Sequence, residues 1–196
     1  MFLIDILFIT SPFFGFIPQI YKNEVTYKPF LSLINIMTAI IKIFDWFYKK
    51  YDKVIFIQNF FIIFLHLILV YKNKIKTVNR YGFEDNQLFY ILKRISALIL
   101  LLFMLDNLKL SFIFNYLALF LDVFTTYAHF IVYREDPQKP IELFAVWIMG
   151  DLIKIYFNIF VYKTPTFYTL AVFTQLLFDL LTVFTQTKMP LDMEYY

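Results

Sequence analysis

The sequence has no cysteine and only three glycines among its 196 residues. Disulfides and thiolate metal sites are therefore excluded, and a glycine-rich phosphate-binding loop has too few glycines to form. Charged residues are also scarce, at 17% of the chain, whereas apolar residues make up 61%. A soluble domain would be about half apolar. These absences point away from a soluble catalytic domain, and we expect no cofactor.

Apolar residues come in blocks long enough to cross a bilayer. Residues 54–71 contain no formal charge, and crossing about 30 Å of hydrocarbon takes roughly 20 helical residues. The blocks predict an all-α integral membrane protein with seven transmembrane helices, and the first block lacks the basic start of a cleavable signal peptide. The predicted helices lie near residues 2–20, 29–48, 54–71, 87–106, 111–133, 141–161 and 166–186.

The fourth predicted helix has the shortest uncharged stretch, residues 95–105. Lys93 and Arg94 interrupt it upstream, although their long side chains can reach the headgroups. If this helix does not cross, every later helix changes sides. The internal repeat described below requires an odd number of connecting helices, so we predict that it crosses.

Basic residues set the predicted orientation, because loops on the cytosolic side carry more of them. One side of the predicted membrane has nine basic loop residues and the other has five. This bias predicts a lumenal or external N-terminus and a cytosolic C-terminus. The nine are Lys22, Lys28, Lys72, Lys74, Lys76, Arg80, Arg134, Lys139 and Lys188, and the five are Lys49, Lys50, Lys53, Lys109 and Lys163.

Two predicted helices share a string of residues. IMTAIIKIF, starting at residue 36, recurs as IMGDLIKIY, starting at residue 148, which is an offset of 112. The offset aligns Lys42 with Lys154, and one helix later Gln58 has a counterpart in Gln175. In a composition rich in isoleucine, shared isoleucines mean little, but polar residues inside membrane helices are rare. The sequence therefore predicts an internal repeat.

Three helices, one connecting helix and three more helices make the two repeats parallel, because an odd connector restores the starting side. Parallel repeats related by an axis along the membrane normal are a recurrent transporter architecture, and we predict this 3+1+3 arrangement. Its parts are residues 1–72, the first three-helix repeat; 73–109, a cytosolic loop and linker helix; 110–187, the second three-helix repeat; and 188–196, a short cytosolic tail.

These segments resemble the PQ-loop repeat family over about residues 10–187. FGFIPQIYKN, which contains Gly15, Pro18 and Gln19, looks like that family's motif at the cytosolic end of its first helix. LSLINIMTAIIKIFDWF resembles the family's second helix, and Gln58 falls where its third helix starts. In the second repeat, WIMGDLIKIYF and the LLFDLL that follows Gln175 resemble the endosomal and Golgi branch of the family.

The resemblance implies a seven-helix fold and a role in phospholipid scrambling, since that branch is implicated in scrambling and in opposing aminophospholipid flippases. It also implies an endomembrane location (trans-Golgi, endosome, lysosome or vacuole) with membrane lipids as partners. The sequence departs from the family pattern at the second PQ dipeptide. Ala128-His129 or Thr125-Thr126 takes its place, depending on the loop length, which weakens a mechanism with two equivalent proline hinges.

Pro18-Gln19 has a local physical role of its own. Proline removes one backbone hydrogen bond and frees the carbonyl of Phe14, beside the permissive Gly15. The helix can bend there, and the Gln19 amide can cap the freed groups. The local sequence by itself favours an ordinary helix end, and only the family resemblance favours a hinge.

Polar residues inside the predicted helices are the candidates for function, because a charge at bilayer depth costs roughly 2.5–3.5 kcal/mol on insertion scales. We interpret eight of them as an intramembrane polar pathway. Asn59, His66 and Asn158 are further polar residues in these helices, and neither histidine of the chain has the spacing of a metal site. The eight are Lys42, Asp45, Gln58, Asp122, Asp151, Lys154, Gln175 and Asp179.

Two acid–base pairs in this set are three residues apart and therefore share a helix face. Asp151 and Lys154 are interpreted either as a functional pair or as a neutralised pair that only packs helices together. Lys42 and Asp45 lie toward the lumenal end of their helix, where reaching the headgroups is cheap. For Asp45 the packing interpretation is favoured.

Asp122 and Asp179 lie in mid-helix, in the helices expected to flank the sixth. A lone buried carboxylate either pairs with a base or takes up a proton. Two lysines cannot pair with three aspartates in one core. The set therefore predicts a polar pathway or a proton-linked site.

Three functions remain open at this point. The first is a lipid scramblase or regulator of bilayer asymmetry, whose polar stripe admits headgroups while the tails stay in lipid. The second is a proton-coupled transporter of a small solute, such as an amino acid or sugar, with alternating access. The third is a non-transporting sorting receptor. We expect no enzymatic activity, no metal and no nucleic-acid partner, and the sequence leaves homo-oligomers open.

Overall fold

The computed structural model describes residues 2–14, 16, 29–81, 86–134, 141–162 and 164–187. Regular structure in these ranges is entirely helical, and a helix coincides with each of the seven predicted membrane helices. The helices are α1 (Phe2–Phe14), α2 (Pro29–Lys49), α3 (Lys53–Tyr81), α4 (Asn86–Asn107), α5 (Ile113–Arg134), α6 (Ile141–Tyr156), which continues as a π-helical turn (Phe157–Val161), and α7 (Thr166–Thr187).

Five segments of the described chain are helical, long and apolar enough to cross a membrane. This is compatible with an integral membrane protein. α1 contains a shorter apolar stretch, Leu3–Pro12, and α4 is not among the five, so the crossing of these two helices stays a prediction. The five are Phe30–Lys49, Lys53–Lys72, Ile113–Val132, Phe144–Val161 and Thr166–Thr185.

Local chemistry explains several helix limits. Pro29 stands at the first position of α2, where its missing N–H does no harm. Lys50 and Lys109, which follow the ends of α2 and α4, have φ angles of 49° and 58°, the left-handed conformation that commonly ends a helix. At the start of α3 the Asp52 carboxylate accepts the N–H of Val54 at 2.9 Å, as helix-capping residues do.

Three helices differ from their predicted limits. The first, predicted near residues 2–20, is helical over Phe2–Phe14, and Phe16 lies in a turn; residues 17–20 lie outside the described part of the chain. α3 continues to Tyr81, ten residues beyond the apolar block that ended at residue 71, because lysine is a good helix former whether or not it is in a membrane. The predicted sixth helix, residues 141–161, is α-helical only as far as Tyr156 and then becomes the π-helical turn. Single π-helical turns often occur at functional sites.

Six helices pack in a closed ring. α3 packs against both α1 and α2, and α7 packs against both α5 and α6. The ring closes through two seams, one between α2 and α5 and one between α1 and α6. α4 lies outside the ring and packs on α2 and α5, where its Leu98 and Leu102 join a buried cluster with Ile41, Phe114 and Ala118.

Apolar side chains face outward and polar ones face inward. Phe64, Phe120 and Phe160 are each more than half exposed, whereas Asp45 and Asp151 are almost completely buried. A protein in water exposes only limited apolar patches. An apolar exterior around buried polar residues is the arrangement expected where lipid surrounds the helices.

Candidate functional site

A polar cavity of about 190 Å³ lies at the centre of the ring. All six ring helices contribute lining residues, and the described part of α4 contributes none. The cavity brings together seven of the eight residues of the predicted polar pathway, together with Asn59, His66 and Asn158. The seven are Lys42, Gln58, Asp122, Asp151, Lys154, Gln175 and Asp179.

Lys42 of α2 forms an ion pair across the seam with Asp122 of α5. The Lys42 Nζ lies 2.7 Å from Asp122 Oδ2, and each side chain is 18% exposed. The helix face had suggested Asp45 as a neighbour for Lys42. In the structure the acid comes from another helix instead. At the position where the second predicted repeat has Asp151, the first has Ala39. The pair therefore joins the two halves of the ring.

Asp151, Lys154 and Asp179 form the second charged group in the cavity. Lys154 Nζ lies 3.2 Å from Asp151 Oδ1, which confirms that these two residues share a face. Asp179 of α7 lines the same cavity, and Asp151 and Asp179 are both at least 95% buried. Lys154 is therefore paired with Asp151, and the described cavity lining as a whole has three acids and two lysines.

Asp45 does not line the cavity but holds a residue that does. Its Oδ2 accepts a hydrogen bond from the Tyr168 hydroxyl at 2.8 Å, and its Oδ1 lies 3.0 Å from Lys49 Nζ. The Tyr51 hydroxyl in turn lies 3.2 Å from that of Tyr168 and donates to the Lys42 carbonyl at 2.8 Å. Burial raises the pKa of Tyr51, so its hydroxyl stays protonated as a donor. This network agrees with the packing interpretation of Asp45.

Gln58 satisfies a backbone carbonyl that a proline has freed. Pro12 lies inside α1, and because proline has no N–H, the carbonyl of Phe8 loses its usual partner four residues on. The Gln58 Nε2 donates to this carbonyl at 2.7 Å, and the Ser11 hydroxyl donates to it at 2.8 Å. Gln58 thereby ties α3 to α1 at the cavity wall.

Of the two sites of the predicted proline-hinge motif, the structure describes only the second. Gly15, Pro18 and Gln19 lie outside the described residues. In the second repeat, α5 runs unbroken through Thr125 and Thr126, whose hydroxyls donate to carbonyls four residues earlier at 2.8 Å. Both threonines line the cavity, so this position is a continuous cavity wall.

Sequence reasoning missed two aromatic residues of the site, Tyr168 and Trp147. Both line the cavity, and the Trp147 ring stacks on that of His129 with centroids 5.6 Å apart. Aromatic residues make up 22% of the chain, so no single one stands out by composition. The tryptophan contributed only to the family resemblance, and nothing in the sequence distinguished Tyr168.

The cavity can hold a polar group that carries charges of both signs. The acids Asp122, Asp151 and Asp179 all come from the second half of the ring, while each half supplies one lysine. Amides from Gln58 and Gln175 add uncharged donors and acceptors. Comparisons with family models, with curated proteins and with solved structures each found no match to this chain.

Proposed function

We propose that this chain is a transmembrane protein that lets phospholipids pass between bilayer leaflets, without ATP, in an endomembrane such as the endosome or Golgi. The observation that carries the proposal is the cavity that holds two lysines and three aspartates inside an apolar exterior. Placing so many charges at membrane depth is costly. A polar route for a charged headgroup gives them a use.

The 3+1+3 repeat architecture belongs to this proposal. In each set of three helices the third packs against the first and the second, so the two sets have the same internal order. The seams join the second helix of one set to the first helix of the other in both cases, as a two-fold axis requires. α4 lies outside the ring, which suits a linker, and the resemblance to PQ-loop proteins points to the same arrangement.

A phospholipid headgroup matches the charges of this cavity. A zwitterionic headgroup carries a phosphate and an ammonium group. Lys42 or Lys154 can bind the phosphate, and the aspartates can bind the ammonium group. Each lysine already has an acid partner, so an entering headgroup exchanges one ion pair for another. Such an exchange gives the phosphate and the ammonium group each a charged partner while the headgroup crosses, which lowers the barrier.

A second function, proton-coupled transport of a small solute, has one observation in its favour. Asp151 and Asp179 are both buried and both line the cavity, where Lys154 pairs with Asp151. The described lining has three acids and two lysines, so one carboxyl has no lysine of its own and can take up a proton. A proton that binds and leaves at this carboxyl could drive a solute through the same cavity.

Reconstitution into vesicles tests the proposal. We expect wild-type protein to equilibrate labelled phospholipid between leaflets without ATP, and Lys154→Met to slow it. Asp106→Asn, which lies at the end of α4 away from the cavity lining, is the control for a changed charge. Equal lipid redistribution in protein-containing and empty vesicles would overturn the proposal.

Solute flux in the same vesicles separates the alternatives. A pH-dependent solute flux that disappears in Asp151→Asn, with lipid redistribution untouched, would support the proton-coupled transporter. Protein that moves neither lipid nor solute would support the sorting receptor.

A further inference from the structure

The two seams of the ring differ in how completely they close. At the α2–α5 seam, the Lys42–Asp122 ion pair crosses between the helices at the cavity. At the α1–α6 seam, the cavity is lined by Ser11 and Pro12 on one side and by Val146 and Gly150 on the other. We call these four residues the seam window. Each of them is at least partly exposed, although each also lines the cavity.

Val146 and Gly150 both belong to α6 and both line the cavity. They are four residues apart and so share one face of the helix. The side chain of Phe144, on another face, packs with Val183 of α7. Val146 is 45% exposed, and a Cβ added at Gly150 would meet no atom of the described residues within 4 Å. As far as the described residues go, the cavity wall at this face is therefore open.

The internal repeat shows that the opening is specific to one seam. The offset of 112 residues aligns Val146 with Ile34 and Gly150 with Thr38. Ile34 and Thr38 are only 6% and 2% exposed, and the Thr38 hydroxyl donates to the Ile34 carbonyl at 3.0 Å. The same positions are thus buried in the first half, whereas in the second half they are partly exposed and line the cavity.

Contacts close the α1–α6 seam on either side of the window. Toward one end, the Tyr162 hydroxyl donates to Asp5 at 2.7 Å and the rings of Phe8 and Phe157 lie 5.6 Å apart. Burial, together with this hydrogen bond, raises the pKa of Tyr162, so the hydroxyl remains a donor. Toward the other end, the ring of Phe16 lies 6.1 Å from that of Trp147.

The surroundings of the window determine what can enter it. Gly150 lies inside the membrane-spanning segment Phe144–Val161, and the neighbouring outward side chains Met149 and Ile153 are 58% and 44% exposed. At this depth the exterior consists of hydrocarbon chains. The occupant that suits an apolar opening into a polar cavity is a molecule that is apolar at one end and polar at the other.

We propose that the seam window is a lateral portal for the acyl chains of a membrane lipid whose headgroup occupies the cavity. The inference rests on the proposed function and deepens it, because it assigns the path of the lipid tails. The tails extend into the bilayer between Pro12 and Gly150 while the headgroup moves along the charged residues. The contacts at Tyr162–Asp5 and Phe16–Trp147 must separate for a headgroup to enter from either leaflet.

Filling the window tests the portal in vesicles of phosphatidylcholine that contain a trace of fluorescent phosphatidylcholine. We expect Gly150→Leu to slow redistribution about tenfold, the factor that roughly 1.4 kcal/mol of added barrier produces. Ala145→Leu, the same kind of enlargement on an exposed part of α6, is the matched control and should scramble like wild type. If Gly150→Leu scrambles as fast as wild type, the portal is overturned while the proposed function stands.

Thiol labelling provides a readout that does not depend on transport. The chain has no cysteine, so Gly150→Cys and Thr38→Cys each carry a single thiol at matched repeat positions. A lipid-soluble maleimide should label Gly150→Cys at least about tenfold faster, because only that position opens to the bilayer. Equal labelling of the two variants would overturn the portal. Selective labelling in protein that does not scramble would support the portal and overturn only the proposed function.

Discussion

The ion pair between Lys42 and Asp122 makes a prediction at the scale of single residues. Removing one partner leaves the other charge buried without a counterion, which for buried pairs costs about 3 kcal/mol. We expect Lys42→Met and Asp122→Leu each to lower the thermal unfolding temperature in detergent, and the double variant to lose less than the sum of the two. Additive losses in this double-mutant cycle would show that the pair has no coupling.

The Asp45–Tyr168 hydrogen bond carries a different expectation. Hydrogen bonds to charged groups contribute about 1.5–3 kcal/mol, so Tyr168→Phe should lower stability by about that amount. Asp45 does not line the cavity, so Asp45→Asn should keep its rate of lipid redistribution per folded molecule. Thermal unfolding and vesicle scrambling of the same preparations check both parts. An Asp45→Asn protein that is stable but inactive would place Asp45 in the transport route.

The cost of burying charge singled out candidate site residues from the sequence, but their partners on other helices could not be predicted. Insertion cost singled out Lys42, Asp122 and Asp151, and all three line one cavity. The i, i+3 spacing predicted the Asp151–Lys154 contact because both residues lie on one helix. The contact between Lys42 and Asp122 depends on how two helices pack side by side, and helix periodicity carries no information about that.

Helix α1 provides a prediction at the scale of one structural element. Gln58 is needed there because Pro12 leaves the Phe8 carbonyl without a backbone partner. In Pro12→Ala a backbone N–H returns and can donate to Phe8. Because the Ser11 hydroxyl still donates to Phe8, Gln58→Leu should destabilise the wild-type background by about 0.5–1.5 kcal/mol, the net contribution of one hydrogen bond. It should destabilise the Pro12→Ala background by clearly less.

Thermal unfolding of the four proteins in this cycle gives the measurement. Gln175→Leu, at the matched repeat position, is the control for loss of an amide in the cavity. If Gln58→Leu costs the same in both backgrounds, Gln58 does not serve the carbonyl that Pro12 frees. In that case its contact with α1 is ordinary packing.

The apolar blocks predicted that each helix exists, but they did not predict every helix boundary. Residues 54–71 form an apolar block because a helix of about this length faces lipid. The continuation of α3 to Tyr81 is polar, so hydropathy does not predict it. The π-helical turn at Phe157–Val161 needs one extra residue per turn. The π-helical turn places the buried Asn158 at the cavity. Its position depends on tertiary packing, which the periodicity of the sequence does not predict.

At the scale of the whole molecule, the repeat in the sequence and the packing of the ring both indicate two equivalent halves. The shared string in α2 and α6 predicts that these helices are equivalent, and each packs beside the third helix of its own set and at one seam. The charges break this symmetry, since the three cavity acids all belong to the second half. The seams break it again at Gly150 and Thr38. A polar route needs only one lateral opening, so this asymmetry fits the proposed function.

The number of crossings gives the last prediction, which concerns the two ends of the chain. If α1 and α4 both cross, the chain spans the membrane seven times and its termini lie on opposite sides. The basic residues then place the N-terminus in the lumen and the C-terminus in the cytosol. α4 decides the outcome, because Lys93 and Arg94 shorten its apolar run while its buried Leu98 and Leu102 pack on the ring.

Glycosylation tags at either end measure this arrangement, since only lumenal tags are modified. We expect modification of an N-terminal tag and none of a C-terminal tag. Replacing Lys93 and Arg94 with leucine should leave this pattern unchanged, because a longer apolar run only strengthens the crossing. Modification of both tags, or of neither, would mean an even number of crossings. If α4 is the helix that does not cross, the two sets of three helices run in opposite directions and the parallel repeat is wrong.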